Sequence, residues 1–209
     1  MAETETHADM ATPLPEDTRP ERLKKLLTTV VPVLNGAFGD DQLLYTEFRD
    51  ELSVTVPKEG LHDLLLFLRD HDALRFSMLK DVNAVDWYRR NDRFELIYNL
   101  FSLEKRMRLR VKCFTEESDP HVDSVTDLFP SADWYERETY DMHGIIFDNH
   151  PDLRRMYMPE DFVHPETGEP LYPLRKEFPM MGVPGSLPMP ERGVPRQTGT
   201  NGHNGNGNS

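Results

Sequence analysis

Arg93-Phe94-Glu95-Leu96-Ile97-Tyr98-Asn99-Leu100-Phe101-Ser102 and Arg106-Met107-Arg108-Leu109-Arg110-Val111-Lys112-Cys113-Phe114 are separated by Leu103-Glu104-Lys105 alone. In the first run Phe94, Leu96, Tyr98 and Leu100 fall on one face. In the second, Met107, Leu109, Val111 and Cys113 do the same. Alternation with a period of two is the mark of half-buried strands, and the short polar connection predicts a β-hairpin. The other face of the second strand carries Arg106, Arg108, Arg110 and Lys112. That face reads as a solvated sheet surface, or as a cross-surface partner for acids such as Glu136, Glu138 or Asp141. Exposed ion pairs contribute only about 0–1 kcal/mol each, so they would set orientation more than stability.

Upstream of the hairpin, Leu52, Val54 and Val56 alternate in a short strand over Glu51–Val56. Pro57 then opens a helix whose apolar stripe is Leu61, Leu64, Leu65 and Leu68. Earlier still, Thr18-Arg19-Pro20-Glu21 has the form of a capping box. It precedes Leu23, Leu26, Leu27, Val30 and Leu34 at helical spacing, with Pro32 expected to end or distort that helix and Asn35-Gly36 to form a turn. Residues 74–90 read as a strand and an irregular loop ending in Asp86-Trp87-Tyr88. Downstream, Ser131 is the expected cap of a third helix that stops at Gly144. The element order predicts an α+β fold: a small, mainly antiparallel sheet with helices packed on one face, followed by an extended C-terminal strap. The expected segments are a disordered acidic arm over 1–17, the α+β domain over 18–145, an extended docking strap over 146–180, and a disordered Pro-rich then Asn/Gly-rich tail over 181–209.

Composition narrows the function. A net charge of -13 on 209 residues excludes nucleic acid as the main partner, since phosphate binding needs a basic surface. The single cysteine, Cys113, permits no internal disulfide, no thiolate zinc site and no four-cysteine iron–sulfur cluster. No secretory signal is visible, and the run Leu64–Leu68 is far short of the roughly 20 apolar residues of a membrane span, so any membrane association goes through a partner. The dinucleotide fingerprint, P-loop, nucleophile elbow and HExxH motif are all missing. His143, His150 and His164, with Asp141, Asp148 and Asp152, match no compact metal-ligand spacing, and His143 at a helix end suits the helix dipole. No catalytic, cofactor-binding or metal-ligating residue is therefore assigned.

What remains is a charged stretch. Asp133, Arg137 and Asp141 lie at successive i, i+4 positions and can pair along one helix face. Glu136 or Glu138 would serve an enzyme as a general base, but nothing specific supports that role. A docking helix is the alternative, with Trp134 and Tyr135 packing and the charges meeting a partner. Beyond it, Arg154-Arg155 and Arg175-Lys176 alternate with the apolar anchors Leu153, Met156, Leu174 and Phe178. Arginine holds carboxylates bidentately and suits interface ion pairs. Such a strap lies over its own domain or over another protein of an assembly, and the sequence leaves both open.

Glu136-Arg137-Glu138, Asp141-Met142, Gly144-Ile145, Phe147, His150-Pro151-Asp152-Leu153-Arg154-Arg155 and Pro173-Leu174-Arg175-Lys176-Glu177-Phe178-Pro179 closely resemble the C component of the proton-pumping NADH:quinone oxidoreductase, respiratory complex I. Two departures stand out: His143 replaces the family's usual aromatic residue, and the link over residues 163–170 is longer than usual. The resemblance implies a member of the hydrophilic arm on the cytoplasmic or matrix side of the membrane. It implies no flavin or iron–sulfur cluster in this chain, with FMN and the clusters held by other subunits. It also implies packing against the D component of the same complex, which helps form the quinone site. The chain would then support electron transfer from NADH to quinone, coupled to proton translocation, by holding its neighbours. The expected interface is Trp134, Glu136, Arg137, Glu138, Asp141, His150, Leu153, Arg154, Arg155, Leu174, Arg175, Lys176 and Phe178. The equivalent subunit of a membrane-bound hydrogenase-type complex is a second reading. A stand-alone metal-dependent enzyme using His143, His150 and His164 is a third.

Overall fold

The computed structural model describes residues 19–39, 41–88 and 90–179. Thr18, the acidic arm and the residues beyond 179 lie outside that range. The expected hairpin forms its centre. Strands β4 (Phe94–Ser102) and β5 (Met107–Thr115) pair antiparallel, with Leu96 opposite Cys113, Tyr98 opposite Val111 and Leu100 opposite Leu109. This register puts the alternating apolar residues of both strands on one face, where all of them are buried.

Strand β3 (Met78–Asp86) pairs antiparallel with the free edge of β4, with a register irregularity between Leu79 and Asp81. The irregularity shifts the side-chain phase, so Leu79 and Val82 both reach the core although they are three residues apart. Strand β2 (Glu51–Thr55) joins the other edge of β5 in a parallel pair. Strand β1 (Leu44–Phe48) closes the sheet in the order β1-β2-β5-β4-β3. The sequence did not reveal β1. It is an edge strand with Leu44 and Phe48 exposed, so it has no buried face to impose an apolar alternation.

Helix α1 (Glu21–Phe38) buries Leu23, Leu26, Val30 and Leu34. It corrects two expectations, since it passes through Pro32 and includes Asn35-Gly36. Pro32 is exposed, so the carbonyl it leaves unpaired one turn earlier faces water, while the buried stripe holds the helix together across it. The helix begins after Pro20 without a side-chain cap. Helix α2 (Leu61–Asp70) follows a single 3-10 turn over Lys58–Gly60 and buries Leu61, Leu64, Leu65 and Leu68 completely. Each such leucine contributes about 2–3 kcal/mol of transfer free energy.

Helix α3 (Ala132–His143) packs against β3. Ser131, the expected cap, makes no capping bond; its hydroxyl donates to the Leu79 carbonyl instead. The helix stops at Gly144, which is left-handed at φ 74. Residues Ile146–Asp148, expected as the first of the strap, form strand β7 and pair in parallel with β6 (His121–Asp123). From Asn149 to Pro179 the chain has no helix or ladder. One isolated bridge between Val163 and Pro170 closes the long link around a turn at Gly168.

Candidate functional site

The strap is held on its own domain by two buried clusters, the first built on α3 and the second on β3 and the start of β4. Asp141 is fully buried. Its Oδ1 accepts from Arg155 Nη1 at 3.1 Å. Its Oδ2 accepts the backbone N–H groups of Met156, Tyr157 and Met158 at 3.0, 2.6 and 2.9 Å. Burial alone would raise the Asp141 pKa, but the three N–H donors and Arg155 outweigh it and hold it below the usual carboxylate range. Arg155 also donates to the Leu171 carbonyl and stacks over Tyr172. One carboxylate thus turns the chain at Met156 and fastens it to Leu171.

The second cluster lies where β3 and β4 meet the end of the strap. Arg93 grips Asp86 bidentately, Nε to Oδ1 at 3.0 Å and Nη2 to Oδ2 at 2.8 Å, with both side chains buried. Glu117 and Glu177 complete its shell. Asp86 in turn accepts the Lys176 N–H at 2.8 Å and the Tyr88 N–H at 2.8 Å. Burial opposes ionisation here as well. The bonds from Arg93, Lys176 and Tyr88 overcome it and bring the Asp86 pKa to about 2.

Between the clusters, Arg175 Nε donates to the His143 carbonyl at 2.6 Å, and the guanidinium lies over Tyr172 and Phe94 at 4.4 and 5.1 Å. The Leu174 N–H donates to the Met142 carbonyl. Gly144 makes this approach possible, because a Cβ there would sit 2.5 Å from Tyr172 Cζ and 2.7 Å from Arg175 Nη2.

Glu136, a candidate base or interface acid on sequence grounds, is fully buried. Oε2 accepts from Ser124 Oγ at 2.7 Å and Oε1 from the Val125 N–H at 2.8 Å, which ties α3 to the loop after β6. Burial pushes its pKa up to about 7. The His150 side chain is buried beside it. Nδ1 accepts the Asp152 N–H, so the proton sits on Nε2, which donates to the Asp133 carbonyl at 3.3 Å. The expected Asp133–Arg137–Asp141 ladder is not formed. Arg137 is buried over Trp134 and reaches the Arg154 carbonyl, while Asp141 turns to Arg155. His143 is no dipole cation, since burial lowers its pKa to about 4 and its Nδ1 has no partner. The basic strand face finds its acids elsewhere: Arg110 pairs with Glu51 and Lys112 with Glu95.

Of the thirteen residues expected at an interface, Glu136, Arg137, Asp141, His150, Arg155 and Arg175 thus point inward. Leu153 packs against the core, and Phe178 stacks on Phe162. Trp134, Glu138, Arg154, Leu174 and Lys176 remain on the surface. Sequence reasoning misses Asp86, Arg93 and Tyr172. Asp86 and Arg93 flank a loop and carry no motif, and only their opposite charge hints at a pair. Among the described residues no group of three His, Cys, Asp or Glu side chains is gathered for a metal, and His143, His150 and His164 do not come together.

A five-stranded α+β domain that fastens its own C-terminal segment through buried ion pairs is the class of protein this geometry defines. The family described as "Respiratory-chain NADH dehydrogenase, 30 Kd subunit" matches residues 54–184. The C component of the NADH-quinone oxidoreductase of Citrifermentans bemidjiense is 44% identical over 149 residues, spanning 71% of this chain and 87% of that protein. Its counterpart in Caulobacter vibrioides is 48% identical over 132 residues, 63% of each chain. Among solved structures, the trypsin-resistant fragment (1-134) of Nqo5 superposes with a TM-score of 0.53 at 31% identity, covering 60% of this chain and 99% of that one. A chain of the membrane-bound sulfane sulfur reductase, an archaeal respiratory membrane complex, gives 0.57 at 28% identity, covering 73% and 84%. The chain belongs to the family of the respiratory-chain NADH dehydrogenase 30 kDa subunit.

Proposed function

We propose that the chain is a structural subunit of the hydrophilic arm of NADH:quinone oxidoreductase. On this reading it supports electron transfer from NADH to quinone, coupled to proton translocation, by holding the D component and its neighbours in place. It has no redox or catalytic site of its own, and FMN and the iron–sulfur clusters belong to other subunits. No helix among the described residues is long and apolar enough to cross a membrane. The chain would sit peripherally on the cytoplasmic side of the inner membrane, held there by its partners.

The observation that carries this reading is the two-sided strap. Its inward side is consumed by Asp141, Asp86 and the His143 carbonyl. Its outward side presents Arg154, Tyr157, Leu174 and Lys176, with Trp134 and Glu138 exposed on α3. Basic and aromatic side chains on a rigid, preorganised backbone suit a protein interface.

The test is purification of the complex through a tag on another of its proteins, with Arg154→Glu, Leu174→Asp and Lys176→Glu combined in this chain. The isolated variant keeps its unfolding midpoint, while its recovery together with the D component falls severalfold. Recovery of an intact, fully active complex overturns the docking role. Arg155 and Arg175 are unsuitable for this test because their loss disturbs the fold itself. A second reading, the equivalent subunit of another membrane-bound complex, gains from the likeness to the sulfane sulfur reductase chain. Identifying the proteins that co-purify with the tagged chain separates the two: a flavin-bearing NADH-binding partner supports the first, and nickel-hydrogenase partners support the second.

A further inference from the structure

The clusters that anchor the strap lie at the Phe94 end of the central hairpin. At its other end, roughly 25 Å away along β4 at about 3.3 Å per residue, is a cavity of about 270 Å³. Four bases line it: Arg22 and Lys25 from α1, Arg106 from the hairpin turn and Arg108 from β5. Its two acids are already engaged, Asp50 with Arg22 and Glu51 with Arg110. Among the described residues the Lys25 ammonium meets only a carbonyl, that of Lys105, at 2.6 Å. Arg108 lies over the Phe101 ring, and neither it nor Arg106 has a carboxylate partner among the described residues. Among the described residues, three cations are therefore left without counter-charge, on a chain whose net charge is -13. Leu26, Met107 and Phe101 add apolar surface beside them.

We propose that this pocket is a second binding site, for a carboxylate-rich peptide segment of a neighbouring protein, which rests on the reading of the chain as one part of a larger complex. Two guanidiniums lining one pocket together with apolar side chains match paired Asp or Glu side chains flanking an aliphatic residue. The Arg108 guanidinium lies 5.9 Å from the Phe101 ring centroid, which places its charge beside the apolar wall of the pocket. The acids bordering the pocket are neutralised from its sides, which leaves its mouth positive.

The first experiment titrates the full chain with a labelled decapeptide carrying four glutamates around one leucine, at low salt. Arg106→Ala with Arg108→Ala weakens binding by about tenfold or more. Lys112→Ala, further along β5 and paired to Glu95, leaves it within about twofold. Equal binding by all three proteins overturns the site. The second places a photo-cross-linking amino acid at the exposed Leu103, on the hairpin turn, in the purified complex. A cross-link to an acidic segment of another protein of the complex, lost on Arg106→Glu with Arg108→Glu, supports the proposal. A cross-link to this chain's own acidic residues 1–18, to a segment without clustered acids, or to nothing overturns it. Recovery of the complex is scored in the same preparation, so failure of the pocket is distinguished from failure of the docking strap.

Discussion

Asp141 keeps its charge in the interior because four donors converge on two oxygens, and the backbone supplies three of them. Replacing it with asparagine removes the charge that balances Arg155 and turns an N–H₂ group toward donors. We expect Asp141→Asn to cost about 3–5 kcal/mol, measured as a shift of the urea midpoint. Asp86 makes the related prediction in acid. Its folded pKa of about 2 lies below the ordinary 3.8, so the stability it contributes is present above pH 4 and is lost as pH falls toward 2. That loss is about 2 kcal/mol. In Asp86→Asn the same acid limb flattens, from a starting stability already reduced because Arg93 loses its buried bidentate partner and keeps only Glu117 and Glu177. Denaturant melts at pH 5, 3 and 2 check both points.

At the scale of elements, the turn between α3 and the strap is set by one residue. Gly144→Ala places a methyl group against Tyr172 and Arg175 at a left-handed φ, and we expect a loss of about 2–4 kcal/mol with cleavage by trypsin after Arg154 and Arg155 accelerated. Helix α1 gives the opposite case. Pro32→Ala restores a backbone donor and should stabilise the protein by about 1–2 kcal/mol, because the lost rigidity of the unfolded chain offsets part of the gain. What the sequence disclosed follows from who buries what. The β4–β5 hairpin was legible because one face of each strand is apolar throughout. Strand β1 was not, since its alternate side chains Leu44, Thr46 and Phe48 all face solvent. In α3 the buried stripe is Ala132, Glu136, Thr139 and His143, with Arg137 and Asp141 beside it. Its spacing is helical but its chemistry is polar, so a reading built on apolar periodicity assigns these residues to the surface. The strap's inward arginines escape such a reading for the same reason. Their partners are backbone carbonyls and distant carboxylates, and no local pattern encodes such pairs.

Across the whole molecule, two buried groups set opposing pH dependences. Glu136 has its pKa raised from 4.5 to about 7, so between those values the folded state binds the extra proton and stability falls as pH rises. His143 has its pKa lowered from 6.5 to about 4, so between those values the unfolded state binds the extra proton and stability rises with pH. The windows overlap from 4.5 to 6.5, where the slopes cancel, and each effect alone amounts to about 3 kcal/mol. The wild-type chain should therefore hold a nearly constant unfolding free energy over that range. Glu136→Gln keeps an acceptor for Val125 and a polar contact for Ser124 while removing the titration, so its stability should climb from pH 4 to 6.5. His143→Phe puts a somewhat larger apolar ring in its place with no orphaned ring nitrogen, and where the site accepts the extra volume it should gain about 1 kcal/mol at pH 7. Its stability should then decline from pH 4.5 to 7. Urea midpoints of the three proteins at half-unit pH intervals decide the matter. Parallel curves for all three would show that folding shifts neither group's pKa, whereas slopes of opposite sign in the two variants would show that the flat wild-type curve is a balance of the two.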